Sequence, residues 1–163
     1  MFRYMEALSG ETAIRKHEIE AASASQDTVN TLYIGGGTPS VLPLSVLRGV
    51  VKSLSAAGIS GPFREFTMEV NPEDIIEKGH EYVEGMRELG VNRVSMGVQS
   101  FDDGILKWMN RRHNAANAVK AYEILEDVGV RNISIDLIFG LPQLSSALWD
   151  ETLQKALSIS SKG

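Results

Sequence analysis

Two phrases in this chain end a helix and begin a strand with the same grammar. Glu-Leu-Gly-Val-Asn-Arg-Val-Ser occupies 88–95, and Asp-Val-Gly-Val-Arg-Asn-Ile-Ser occupies 127–134. In each, a glycine stops a helical pattern as a C-terminal cap does, and a strand pattern follows. The rest of the chain keeps the alternation. Helices are predicted over 3–21, 44–57 (entered at Pro43 and ended at Gly58), 73–89 and 115–128, and over 146–159 with Ser145 or Ser146 as its cap. A short helix runs to Trp108, with Asp102 and Asp103 as caps. Strands are predicted over 29–34, 64–70, 92–98 and 131–139, the second stopped by Asn71-Pro72 and the fourth by Gly140-Leu-Pro142. After residue 21 the first helical pattern dissolves into Ala-Ser-Ala-Ser-Gln-Asp. Helices alternating with strands across short loops require a parallel sheet with right-handed crossovers. The repeated phrase favours a barrel of βα units over a doubly wound sheet, and four strands cannot close one. The expected fold is therefore α/β: a partial (βα) TIM-like barrel of four parallel strands with outer helices, incomplete at both ends, in one domain spanning 1–163.

The first strand runs into Ile34-Gly-Gly-Gly-Thr-Pro-Ser40. Three glycines leave main-chain N–H and C=O groups bare, so a ligand can approach the backbone itself. A dinucleotide fingerprint would need a third glycine at Ser40 and an acidic residue about 20 positions on. A P-loop would need a following Gly-Lys-Ser/Thr, and the next lysine is Lys52. Neither fits. The loop reads as a small-molecule site built partly from backbone, at the carboxyl end of a strand where α/β proteins bind ligands.

Composition narrows the chemistry. A net charge of −5 with scattered basic residues, apart from Arg111-Arg112, argues against nucleic-acid binding. No apolar run approaches the ~18 residues of a membrane span, and Met-Phe-Arg-Tyr-Met-Glu has no signal-peptide core. A cytoplasmic protein is expected. The cysteine count of zero removes disulfides, thiolate nucleophiles and thiolate-bound metal from these residues. His17, His80 and His113 lack metal-ligand spacing.

In a βα barrel the functional groups sit at the carboxyl ends of strands. Here these are Gly35-Gly36-Gly37-Thr38, Glu69-Val-Asn71-Pro72, Gln99-Ser100, and Asp136 with Gly140-Leu-Pro142. Glu69 and Asp136 interrupt apolar stretches, where a charge is costly unless paired or bound, and an inward Gln99 needs partners. Their convergence on one rim points to a ligand site rather than to hydrogen bonds that only order the barrel. Arg111 supplies a fork for a carboxylate or phosphate. Arg112 and His113 read as a solvated helix end, and Met96, Met109, Trp108 and Trp149 as packing residues.

Five motifs complete the pattern: Tyr-Ile-Gly-Gly-Gly-Thr-Pro-Ser (33–40), Met-Glu-Val-Asn-Pro-Glu (68–73), Asn-Arg-Val-Ser-Met-Gly-Val-Gln-Ser-Phe (92–101), Asn-Arg-Arg-His (110–113) and Ile-Asp-Leu-Ile-Phe-Gly-Leu-Pro-Gln (135–143). In this order they resemble the radical S-adenosylmethionine proteins. They are most similar to the oxygen-independent coproporphyrinogen III oxidase family, with Glu-Val-Asn-Pro and Arg-Arg-His leaning toward its heme-chaperone branch. The resemblance implies that backbone groups of Gly36, Gly37 and Thr38 receive the amino-acid end of S-adenosylmethionine. Glu69 then lies near that polar end, Arg111 holds the carboxylate, and Gln99 with Asp136 hydrogen-bonds the ribose.

The resemblance also implies a four-iron four-sulfur cluster on three cysteines spaced Cys-x3-Cys-x2-Cys, in a segment that would precede residue 1. The expectation is a fragment of a heme chaperone-like protein whose full-length parent binds the cluster and heme and delivers heme to an acceptor protein. One alternative is an oxidase that decarboxylates two propionates of coproporphyrinogen III. The other is a truncated, non-catalytic remnant. Without the cysteine motif the fragment is not expected to be catalytic, and its open sheet edges favour self-association.

Overall fold

The computed structural model describes residues 2–23 and 29–160. Helices α1 (Phe2–Ile14) and α2 (Lys16–Ser23) precede strand β1 (Thr31–Ile34). A single 3₁₀ turn at Pro39–Val41 leads into α3 (Leu44–Ala56), β2 (Glu65–Val70), α4 (Pro72–Glu88) and β3 (Arg93–Gln99). Then come α5 (Asp103–Trp108), α6 (Ala115–Asp127), β4 (Asn132–Leu137) and α7 (Ser146–Ser160). The four strands form one parallel sheet in the order β1-β2-β3-β4, as the alternation predicts.

The three glycines predicted to end helices do so by the same geometry. Gly58, Gly90 and Gly129 all have positive φ. In each case the next residue donates its N–H back across the last turn, Ile59 to Leu54, Val91 to Met86 and Val130 to Leu125. Asp102 caps α5 by accepting the Ile105 N–H at 2.7 Å, and Asp103 instead accepts the Ala115 N–H at the start of α6. Ser145 caps α7 through its hydroxyl, 3.2 Å from the Leu148 N–H.

Several boundaries differ from expectation. The helix predicted over 3–21 breaks at Arg15, where Glu18 N–H reaches back only three residues to the Arg15 carbonyl. The stretch expected to dissolve falls mainly on 24–28, outside the described residues. The helix from Pro72 is interrupted at Gly79, whose φ of 65° and ψ of −162° are not helical. The fourth strand stops at Leu137 rather than 139, because Ile138 donates to the Gln99 carbonyl instead of continuing the ladder.

Alternation divides the sheet into two unlike faces. Phe66, Met68, Val70, Val94, Met96 and Val98 point to the helices and are almost fully buried there. They pack with Ile75, Tyr82, Val83 and Met86 of α4 and with Ala121, Tyr122 and Leu125 of α6. The opposite face carries Tyr33, then Glu65, Thr67 and Glu69, then Arg93 and Ser95, then Asn132, Ser134 and Asp136. These residues bond to one another: Arg93 to Thr67 at 3.2 Å and to Ser134 at 3.1 Å, and Ser95 to both Asp136 oxygens at 3.1 Å. Parallel sheets are ordinarily apolar on both faces. This one presents a polar face on the side away from its helices.

Candidate site on the strand rim

The cleft lies where the polar face meets the carboxyl ends of the strands. It has a volume of about 250 Å³ and is lined by Gly37, Thr38, Glu69, Asn71, Gln99, Arg111 and Asp136, among others. Six of the seven residues singled out from the sequence therefore share one wall. Gly36 is the exception. It borders a larger cavity of about 480 Å³ running along β1 beneath α1 and α3, which is mainly apolar in its lining.

Each residue reaches the cleft for a local reason. The β1 loop turns at Gly36 (φ 84°) and Gly37 (φ 64°), conformations that cost an L side chain. Gly36 N–H donates to Glu69 Oε2 at 2.9 Å, and the Tyr33 hydroxyl donates to Glu69 Oε1 at 2.7 Å. Glu69 is thus fixed between the loop and the strand beside it. Its hydrogen bond, followed by burial, raises the Tyr33 phenol above its ordinary pKa. A Cβ at Gly35 would collide with the Tyr33 ring and come within 2.8 Å of Glu69 Oε1. The backbone here is as close to the carboxylate as it can be.

Arg111 arrives by a capping turn. Asn110 ends α5 with a φ of 56°, and Arg111 N–H bonds to the Leu106 carbonyl at 2.9 Å. Asparagine tolerates this left-handed geometry better than most residues. The chain doubles back, and Arg111 Nη2 donates to Asn71 Oδ1 at 2.9 Å and to the Gly97 carbonyl at 3.0 Å. Asn71 in turn donates from Nδ2 to Thr38 Oγ1 at 3.4 Å. Arg111 Nε is buried without a hydrogen-bond partner. A guanidinium with an unused buried donor beside a polar cleft suits an anionic group.

Gln99 sits at a register shift between β3 and β4, with a φ of 70° unusual for a residue bearing a Cβ. Asp136 is exposed and held by Ser95. Glu69 and Asp136 therefore do not stand in an apolar environment, because both lie on the polar face. The period-two pattern of Glu65-Thr67-Glu69, Arg93-Ser95 and Asn132-Ser134-Asp136 carried that signal in the sequence. Tyr33, Asn71 and Ser95 join the site for the same reason.

Two further readings are corrected. His113 is no solvated helix end: it is 3% exposed, with ring nitrogens 2.8 Å from Glu73 Oε2 and 3.0 Å from the Val98 carbonyl. Arg112 is exposed but paired, with Asp74 Oδ1 at 2.9 Å and Glu73 Oε1 at 3.3 Å, and those carboxylates raise its pKa, the Asp74 hydrogen bond foremost. Trp108 is half-exposed rather than packed, whereas Met96 is buried and Trp149 contacts Phe139.

An open parallel sheet with this rim defines a class, and the comparisons with known proteins agree. The chain belongs to the radical SAM superfamily, whose family model matches residues 11–156. It is similar to the heme chaperone HemW of Bacillus subtilis, at 34% identity over 85% of this chain and 36% of that protein. It is also similar to the oxygen-independent coproporphyrinogen III oxidase of Paracoccus denitrificans, at 31% identity over 87% of this chain and 31% of that protein. Among solved structures, coproporphyrinogen III oxidase HemN from Escherichia coli matches with a TM-score of 0.82 and 27% identity, over 96% of this chain and 34% of that one. The chain spans about a third of the length of the relatives it matches.

Membership implies S-adenosylmethionine and an iron–sulfur cluster as the family's cofactors. The cleft's donor set fits the first: a carboxylate for an ammonium, an arginine for a carboxylate, a carboxylate and an amide for a diol. It does not fit the second. The 163 residues hold no cysteine, so no thiolate here can ligate iron. Among the described residues no helix is long and apolar enough to cross a membrane.

Proposed function

We propose that this chain, as one incomplete core domain over 1–163, forms the S-adenosylmethionine-binding part of a heme chaperone-like radical SAM protein. The observation that carries this reading is the convergence of Gly37, Thr38, Glu69, Gln99, Arg111 and Asp136 on one cleft. Glu69 attracts the ligand's ammonium, beside the N–H groups of the glycine loop. Arg111, a guanidinium on the cleft wall, takes the carboxylate. Gln99 and Asp136 take the ribose hydroxyls, with Asp136 held in place by Ser95. When bound, S-adenosylmethionine supplies the radical chemistry of the family; these residues bind and orient it. Heme, and an acceptor protein that receives it, would be the cargo and partner of the complete protein.

The likeness to HemN and to the Paracoccus oxidase favours a second reading, in which the complete protein acts on coproporphyrinogen III. Both readings use the same cleft. Calorimetric titration of the chain with S-adenosylmethionine tests it. Saturable binding that falls at least tenfold in Arg111→Ala and in Asp136→Ala is expected, about 1.4 kcal/mol for each tenfold. Undetectable binding would leave the chain a non-catalytic remnant of its family, and variants that bind as well as the parent would overturn the assignment of Arg111 and Asp136. Heme transfer against protoporphyrinogen formation then separates the chaperone from the oxidase in the complete protein.

A further inference from the structure

Behind the cleft, a second layer of polar side chains joins the loops that form it. The Ser40 hydroxyl donates to Asp74 Oδ2 at 2.6 Å and accepts the Asn71 N–H at 3.1 Å. Asp74, 3% exposed, also accepts from Arg112, which pairs through Nε with Glu73 Oε1 at 3.3 Å. The other oxygen of Glu73 faces His113 Nδ1 at 2.8 Å, and His113 Nε2 lies 3.0 Å from the Val98 carbonyl. The Val98 carbonyl can only accept, so Nε2 is the nitrogen that carries hydrogen toward it, while Nδ1 is held against the Glu73 carboxylate.

What the ring holds is as telling as what holds it. The Val98 carbonyl also accepts the Ser100 N–H at 2.9 Å, which closes a three-residue turn around Gln99 at a φ of 70°. That is the left-handed γ-turn, a rare and strained arrangement for a residue with a side chain. Such geometry persists only where its surroundings over-determine it. We propose that His113 is a positioning residue: a buried ring, anchored on Glu73, that clamps the Val98 carbonyl and so holds the turn presenting Gln99 to the cleft. Because His113 follows Arg111 by two residues, the same clamp fixes the approach of that guanidinium. The inference rests on the S-adenosylmethionine reading of the cleft, and its test separates the two.

The test has two arms on the 163-residue chain. With histidine labelled in ¹⁵N, NMR locates the ring hydrogen of His113; an N–H at Nε2, facing the Val98 carbonyl, is expected, and a bare Nε2 would overturn the proposal. Titration with S-adenosylmethionine then compares His113→Gln, whose amide keeps a donor for Val98, with His113→Phe combined with Glu73→Gln, which avoids stranding a charge. The glutamine variant should bind within about twofold of the parent, and the double variant about tenfold more weakly, the effect of roughly one lost hydrogen bond. Unchanged affinity in the double variant would mean the ring only fills space. Should the parent itself not bind, the reading of the cleft fails. The clamp is then judged on the ring protons and on the Gln99 amide resonance, which moves in the double variant if the turn relaxes and stays put if the clamp is absent.

Discussion

Gly97 is the residue on which most of the cleft depends without contributing a side chain. Its carbonyl accepts from Arg111, and a Cβ there would lie 2.9 Å from Gln99 Nε2, 3.1 Å from Asn71 Oδ1 and 3.7 Å from Arg111 Nη2. Gly97→Ala should therefore weaken S-adenosylmethionine binding about tenfold while leaving the melting temperature within a few degrees, since the added methyl displaces side chains and not backbone. Calorimetry alongside thermal unfolding checks this, and an unaltered affinity would contradict the packing described. Tyr82 makes a different residue-scale prediction. Its hydroxyl donates to the Leu42 carbonyl at 3.0 Å, and burial, then the Asp74 charge, raise its pKa. A phenol raised on folding contributes fully below its unfolded value of about 10 and loses that contribution as pH rises beyond it. Tyr82→Phe should cost about 1 kcal/mol at pH 7 and distinctly less at pH 11, read by urea unfolding. An equal cost at both would contradict the sign. Residues of this kind divide in legibility. Asp136 was readable as a charge in a strand and Arg111 as a fork after a short helix, but His113 was not, because its partner Glu73 is 40 residues away and only the fold brings them together.

The elements themselves were largely legible, because their ends are marked by chemistry that acts locally. Gly58, Gly90 and Gly129 each occupy a left-handed cap, and Asp102 caps α5. Asp102→Ala should cost about 1 kcal/mol by removing the acceptor for the Ile105 N–H. Because α5 delivers Asn110 and Arg111, the same variant should also loosen ligand binding. Denaturant unfolding and calorimetry measure the two effects, and an undiminished stability would show that the short helix needs no cap. What the sequence concealed were interruptions. The positive φ of Gln99 is forced by tertiary contacts on a residue that does not favour it, and the break at Gly79 lies inside an otherwise continuous helical pattern. The two-faced sheet was missed for another reason: Glu69 and Asp136 were read as charges inside apolar stretches, whereas polar residues recur at every second position of those strands. Read with period two, β2, β3 and β4 separate at once into a packed face and a wet one.

At the scale of the molecule, the sheet ends in β1 on one side and β4 on the other. Phe139 is 77% exposed and Leu157 62%, with Trp149 and Leu153 on the same helix as the latter. Unpaired strand edges and exposed apolar side chains favour association between copies. Light scattering of the isolated chain should show a mass rising with concentration, whereas a clean monomer at high concentration would contradict this. Two cavities adjoin the glycine loop, and the larger is the apolar one along β1. The smaller is assigned to S-adenosylmethionine on chemistry, since size alone would choose the other. The measurement that decides is the map of backbone amide shifts as S-adenosylmethionine is added to ¹⁵N-labelled chain. Changes confined to Gly37, Thr38, Glu69, Asn71, Gln99, Arg111 and Asp136 are expected. Shifts centred instead on Tyr4, Leu8, Val50 and Leu54, or none at all, would contradict that assignment.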